Sequence, residues 1–248
     1  MPKPLGKSRL FAFLFRLYLG WRLRRTFADV RLLGGEGFKA KDLEGGFILA
    51  CNHVAWWDPL LLIHLGAHLK TEGHCLMDSQ NLQQFSFFRW LGAIPIHRSS
   101  RLSAYRDLKR AAELLPQRGG ILAIFPQGQQ RPAHLPLELK SGVAFLAQTS
   151  RFPVIPLAIR YDFSEGPKPL AHLSVGSPIL FGDEGRRGNR VFMRALDRAL
   201  TEGLSRIDAT LLTPSGSAES LLGRGEDAHR AGRRSALSKL LHLSAVKQ

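Results

Sequence analysis

Four short, unbroken apolar runs constrain this chain more than any other feature: FILAC at residues 47–51, AIPI at 93–96, ILAIF at 121–125 and VIPLAI at 154–159. Runs of four to six residues are too short for a buried helix and match strands covered on both faces. Between them the spacing turns helical. Leu102, Tyr105, Leu108, Ala112 and Leu115 recur every three or four positions, and Pro116 with Gly119-Gly120 predicts the end of that helix. Further helices are expected over residues 59–69, 81–91 and 140–149, and one more carries Phe192, Leu196, Leu200 and Leu204. Residues 74–77 and 171–175 read as additional strands, and the glycine pairs at 34–35 and 45–46 as turns. Strands alternating with helices predict an α/β fold, with a mainly parallel central sheet flanked by helices.

A chain of 248 residues holds one large domain or two small ones, and no repeat or low-complexity linker divides it, so one is expected. Three segments are distinguished: a basic and apolar membrane-associating segment at 1–29, the domain proper at 30–212, and a flexible basic tail at 213–248. Residues 235–246 of that tail have the pattern of a short amphipathic helix. Cys51 and Cys75 are the two cysteines. They make neither a disulfide framework nor a Cys-rich zinc module, which points to a reducing, cytoplasm-facing setting.

The formal charge is +15, and residues 1–41 alone contribute +8, with ten basic side chains against Asp29 and Glu36. Such a patch suits nucleic acid or an anionic membrane surface. Its neighbours favour the membrane. LFAFLFRLYLGW, residues 10–21, is nearly all apolar or aromatic. Twelve helical residues, at about 1.5 Å each, fall short of a hydrocarbon layer of roughly 30 Å. Arg22, Arg24 and Arg25 follow without a small-residue cleavage site, so a cleaved signal peptide is a poor fit. An N-terminal interfacial helix is expected instead, giving a peripheral or monotopic protein on the cytoplasmic face of a membrane. A buried core helix with snorkelling arginines is the plainer alternative.

Three blocks carry chemistry, each after an expected strand. In NHVAWWDP, residues 52–59, His53 and Asp58 stand five apart, about 140° off a common helical face. They meet only if His53 lies in a turn before the helix, as Pro59 at a first helical position allows. A carboxylate on one imidazole nitrogen leaves the other free to take a hydroxyl proton. Equally, Asp58 caps the helix and His53 is an ordinary turn residue. In GAIPIHRSS, residues 92–100, Arg98 offers a fork for phosphate or carboxylate. In FPQGQQRP, residues 125–132, Gly128 permits close approach while Gln127 and Arg131 offer donors.

Taken in order, these blocks resemble the glycerolipid and lysophospholipid acyltransferase family. NHVAWWD resembles its N/H-H-x4-D block, GAIPIHR its G-x-x-x-I-x-R block and FPQGQQRP its F-P-E-G-T-R-S block. LKSGVAFLA and VIPLAIR follow where the family has K-x-G-x-x-x-[LM]-A and V-P-V. The resemblance runs from about Val30 to Ile207. It implies transfer of an acyl group from acyl-CoA or acyl carrier protein to a hydroxyl of a lysophospholipid, glycerolipid or related lipid, without metal or other cofactor. His53 is then the general base, Asp58 its orienter and Arg98 an acceptor-binding cation, with Gln127 and Gly128 in the acceptor loop and Pro156 in the apolar fourth block. Position 127 is glutamine where the family usually has glutamate, and Arg131 stands one place later than the family's arginine. Loss of that anion removes a potential ion-pair partner of Arg98 or Arg131 and is expected to favour an acceptor recognised through neutral hydroxyls; the plainer alternative is that the amide keeps the glutamate's hydrogen bonds and the acceptor is unchanged.

Three other readings compete. Cys51 and His53 share a face of an extended strand, as in a cysteine hydrolase, although Cys51 lies in an apolar run where thiols are small buried hydrophobes. His64 and His68 are i, i+4 with His74 and Cys75 near, but no H-E-x-x-H pattern completes a metal site. A basic nucleic-acid binder without catalysis is supported by charge alone, since no binding motif accompanies it.

Overall fold

Three of the apolar runs become adjacent strands in the middle of an eight-stranded sheet, and the run at 93–96 becomes one of its edges. The computed structural model describes residues 6–38, 46–118, 120–163, 166–182, 185–212 and 218–223. The strands are β1 (Asp29–Leu33), β2 (Phe47–Cys51), β3 (Gly73–Asp78), β4 (Ala93–Ile96), β5 (Ile121–Ile124), β6 (Val154–Asp162), β7 (Leu170–Val175) and β8 (Glu219–Ser220). The helices are α1 (Arg9–Thr26), α2 (Asp58–His68), α3 (Ser79–Gln84), α4 (Arg101–Arg118), α5 (Gly142–Ser150) and α6 (Gly185–Leu212). The spatial order is β4-β3-β5-β2-β6-β7-β1-β8. The first five run parallel, β7 turns antiparallel to β6, β1 lies parallel to β7, and β8 closes the edge antiparallel to β1. The expected α/β fold with a mostly parallel sheet is therefore present.

Side-chain alternation assigns each strand's residues to two cores. Leu49, Cys51, Ile121 and Ala123 face α1 and α2, packing with Leu19, Leu23, Leu61 and Leu65. Ile48, Ala50, Leu122 and Ile124 face α4, α5 and α6, packing with Leu108, Leu146, Leu196 and Leu200. Both faces of β2 and β5 are covered, which is why their sequences are apolar without interruption.

Several boundaries differ from expectation. The helix expected over 81–91 is two pieces: α3 starts where the Asp78 side chain accepts from Gln80 N, and it stops at Phe85 (φ −115°, ψ 59°). A 3-10 turn over Ser86–Arg89 follows, in an aromatic-rich stretch of modest helix propensity. Helix α4 passes through Pro116 to Arg118; proline in a final turn forfeits one backbone bond without ending the helix. Strand β6 continues three residues beyond Ile159, because Arg160, Tyr161 and Asp162 pair with His172, Ala171 and Leu170. Within the tail expected from residue 213, residues 219–220 form β8 and Leu221 and Leu222 are buried. Helix α2 holds that piece: His64 Nε2 bonds Leu221 O at 3.0 Å and His68 Nε2 lies 3.0 Å from Glu219. His64 and His68, which raised the question of a metal, thus contact β8 and the residue after it, His64 through a hydrogen bond. Residues 224–248, including the amphipathic stretch at 235–246, lie outside the described residues.

Helix α1 is apolar on two sides. Ser8 caps it, accepting from Phe11 N at 3.2 Å. Ala12, Leu19 and Leu23 are buried against the domain, so segment 1–29 shares the domain's core. Leu10, Phe13, Leu14, Leu17, Tyr18 and Trp21 point outward, Leu10 being 70% exposed. Among the described residues no helix is long and apolar enough to cross a membrane.

Candidate active site

Because β2 to β6 run parallel, the segments after β2, β3, β4 and β5 gather at one edge of the sheet, where open α/β sheets take their ligands. His53 follows β2, Asp78 ends β3, Arg98 follows β4, and the loop from Phe125 follows β5. Asn52 extends the β2–β6 ladder with its side chain: Nδ2 donates to Ile159 O at 2.9 Å, and Oδ1 accepts from Ile159 N at 2.7 Å. The chain can then leave the sheet at His53 with no buried backbone group unpaired at that point.

His53 and Asp58 meet in the turn before α2. His53 Nδ1 lies 2.7 Å from Asp58 Oδ2, and the same oxygen accepts from Val54 N at 2.7 Å and Ala55 N at 2.9 Å. The other oxygen accepts from Tyr161 Oη at 2.6 Å. Asp58 therefore folds back over its own turn and makes no side-chain cap of α2. It is fully buried, while the His53 side chain is 21% exposed. An ionised carboxylate only accepts, so the imidazole proton sits on Nδ1 and Nε2 carries the lone pair. The ring stacks on Phe125 at 4.3 Å between centroids.

The loop after β5 grips the His53 backbone. Gln127 Oε1 accepts from His53 N at 2.7 Å, Arg131 N donates to His53 O at 2.8 Å, and Gln130 Nε2 donates to Val54 O at 3.2 Å. Gln127 is buried, away from the cleft lining. The Arg131 guanidinium engages both carboxylate oxygens of Glu138 and also stays out of the lining. Arg98 donates to Gly128 O and lies 3.5 Å from Asp78 Oδ2. The expectation that an uncharged position 127 frees Arg98 or Arg131 does not match this geometry: each arginine has its own partner. Gly128, at φ +73°, forms a tight turn in which its N–H bonds Phe125 O at 2.9 Å, so that N–H is already engaged.

His53, Arg98 and Gly128 line a cleft of about 440 Å³, joined by Lys140. The lining is mostly apolar and includes Pro59, Leu62, Ile63 and Gly66 of α2 together with Phe88, Leu91 and Ala93. Lys140 and Tyr161 were absent from the candidate residues. Lys140 was visible only as the lysine of the LKSG block, and Tyr161 lies two positions beyond the apolar run of β6, hence on the face of Ile159. Cys51 is fully buried, and burial pushes its thiol well up, with the nearby Cys75 and Asp58 adding to the shift. That suppresses the thiolate a cysteine hydrolase requires. Burial also raises Cys75, to about 12.

An acyltransferase family model matches residues 30–160, more than half of the chain. The chain belongs to the acyltransferase family. Membership makes it an O-acyltransferase, and the matched region contains His53, Asp58, Arg98 and the Gln127–Arg131 loop. Among solved structures, 1-acyl-sn-glycerophosphate (LPA) acyltransferase, PlsC, from Thermotoga maritima shares the fold at TM-score 0.53. The two are 19% identical over 76% of this acyltransferase and 78% of that chain. No curated protein sequence matches it.

Proposed function

We propose that this acyltransferase moves a fatty acyl group from a thioester, acyl-CoA or acyl carrier protein, to the hydroxyl of a lysophospholipid, glycerolipid or related lipid. His53 acts as general base. The observation that carries this reading is the His53–Asp58 pair: an imidazole with its Nδ1 held by a buried carboxylate and its ring lining a mostly apolar cleft. His53 Nε2 takes the acceptor's hydroxyl proton as that oxygen attacks the thioester carbonyl. The tetrahedral intermediate collapses, the carbon–sulfur bond breaks, and the departing thiolate receives the proton from the imidazolium. Asp58 stabilises the imidazolium in between.

Arg98 and Lys140 line the cleft with His53, as do Lys7 and Arg16, and suit an anionic portion of donor or acceptor. The apolar wall along α2 suits a hydrocarbon chain. Helix α1 presents Leu10, Phe13, Leu14, Leu17 and Trp21 outward, with Arg16, Arg22, Arg24 and Arg25 exposed around them. Arg25 lies 4.6 Å from the Trp21 ring centroid. This surface fits peripheral attachment to an anionic, cytoplasmic leaflet, from which a lipid acceptor reaches the cleft without a soluble carrier.

The test is incubation of the purified protein with labelled acyl-CoA or acyl carrier protein and a panel of lysolipids, glycolipids and hydroxylated terpenoids, read by mass spectrometry. An acylated lipid formed by wild type and lost in His53→Ala supports the reading. Transfer to none of these acceptors, or equal transfer by the variant, rejects it.

A further inference from the structure

Asp58 receives four donors, and three of them come from its own turn. All three converge on Oδ2. The remaining oxygen, Oδ1, is held by a residue 103 positions away, Tyr161, whose hydroxyl donates at 2.6 Å. That distance is typical of an O–H bonded to a charged acceptor. Tyr161 lies in the part of β6 that pairs with β7, opposite Ala171. Its ring stacks on Phe27 at 5.8 Å, and Phe27 meets Trp57 edge-on at 5.2 Å. Phe27 caps the C-terminal end of α1, and Trp57 immediately precedes Asp58. The hydroxyl therefore reaches Asp58 from strand β6, while the other three donors come from the turn.

We infer that Tyr161 is a positioning residue for the acyl-transfer site: its hydroxyl fixes the rotation of the Asp58 carboxylate and so keeps Oδ2 on His53 Nδ1. The inference rests on the reading of His53 and Asp58 as base and orienter. The carboxylate is a rigid plane with one rotation about Cβ–Cγ, so a donor on Oδ1 reinforces from the opposite side the orientation that the three donors on Oδ2 set. Without the hydroxyl, Oδ1 of the fully buried carboxylate would lose that donor, a costly arrangement for a buried charge. The group would turn or take up a proton, and either change releases Nδ1 from the orientation that presents Nε2 to substrate. Tyr161 is suited to the task because burial, with the Asp58 charge beside it, drives its hydroxyl far above the usual tyrosine range. It remains an O–H donor throughout any working pH and exchanges no proton itself.

Removing one hydrogen bond to a charged group predicts that Tyr161→Phe lowers kcat by roughly 10- to 100-fold, with KM changed by less than about twofold. The active form has His53 neutral and Asp58 ionised. Loss of the donor makes the pair hold a proton more readily, so the acid limb of the rate profile should move to higher pH. In an Asp58→Asn background the same substitution should cost less than about twofold, because the carboxylate it acts through is gone. Phe27→Leu is the packing control: it removes the ring stack, keeps the hydroxyl, and should lower thermal stability without moving the acid limb. Should Tyr161→Phe fail to fold, Tyr18 and Tyr105, both exposed, can be made phenylalanine, leaving Tyr161 as the last of the three tyrosines. Incorporated 3-fluorotyrosine, a stronger donor, should then move the acid limb to lower pH. An unmoved limb in Tyr161→Phe or in the fluorinated protein, full additivity with Asp58→Asn, or an equal shift in Phe27→Leu would each overturn the inference. If His53→Ala is inactive while Tyr161→Phe is normal, only this inference falls. If His53→Ala is fully active, the base reading falls with it.

Discussion

Two His–Asp pairs stand at the carboxyl ends of strands in this sheet, and they separate what geometry alone provides from what surroundings add. His53 Nδ1 lies 2.7 Å from Asp58 after β2, and His97 Nδ1 lies 2.9 Å from Asp107 after β4. In both, backbone N–H groups support the carboxylate: Val54 and Ala55 for Asp58, His97 itself for Asp107. The difference is solvent. The His97 side chain is 57% exposed and Asp107 22%, whereas Asp58 is fully buried. Water competes for the outer pair and screens it. His53 of the inner pair lines the cleft with Arg98 and Lys140, and neither member of the outer pair does. A His–Asp contact at hydrogen-bond distance is thus common property; a buried carboxylate and an imidazole open to the cleft are what suit one of them to the proposed role of base.

The largest effect should come from replacing the two histidines in turn. His53→Ala should lower turnover by roughly 10²–10⁴-fold with the fold retained, and His97→Ala by no more than about threefold. Equal losses would erase the distinction. The carboxylates should follow the same order at smaller amplitude: Asp58→Asn misdirects the tautomer and costs on the order of 10²-fold or more, and Asp107→Asn leaves kcat nearly unchanged.

Next is the brace on the inner pair. Gln127→Ala leaves His53 N–H without its acceptor, which costs about 1–3 kcal/mol of stability and should lower kcat more than it raises KM. Gln127→Glu keeps an acceptor oxygen and should retain more activity than the alanine variant. Thermal melts and steady-state rates measured side by side check both. If Gln127→Glu instead switches the preferred acceptor lipid at full stability, the brace is the lesser part of its role.

For the proposed membrane attachment, the exposed face of α1 can be changed without opening the core. Replacing Leu10, Leu14 and Leu17 by glutamine should release the protein from anionic vesicles in flotation while activity on dispersed substrate falls less. Wild-type binding should weaken as salt rises. Binding indifferent to both would place the contact elsewhere. The smallest expected effect is none: Cys51 sits fully buried with its thiol pushed well up, so alkylation at mildly alkaline pH should leave it unmodified. Modification of Cys51 with parallel loss of turnover would restore the hydrolase reading.

What the sequence made legible was whatever is local. Strands β2 and β5 announce themselves because covering both faces demands unbroken apolar residues. His53 and Asp58 could be paired because Pro59 marks where the helix begins, and both residues lie within one turn of that point. Strand β1, with Asp29 and Arg31 inside it, has no such run, and two-residue β8 is held in place by His64 and His68 of α2. The role of Gln127 was hidden for a similar reason. Its partner is 74 positions away, and only the fold shows that its amide faces a backbone N–H. Tyr161 lies beyond the run that identified β6, in a stretch whose strand character comes from pairing with β7.

The central claim, that His53 takes the acceptor's proton, is tested most directly in the wild-type protein. The ring of His53 can be titrated by NMR with labelled histidine, its signal assigned by its disappearance in His53→Ala, and compared with the acid limb of kcat/KM. The account predicts that rate and ring titrate together, activity appearing as the His53 imidazole becomes neutral. An acid limb that follows another group, or a rate that stays constant while His53 changes protonation, would contradict it.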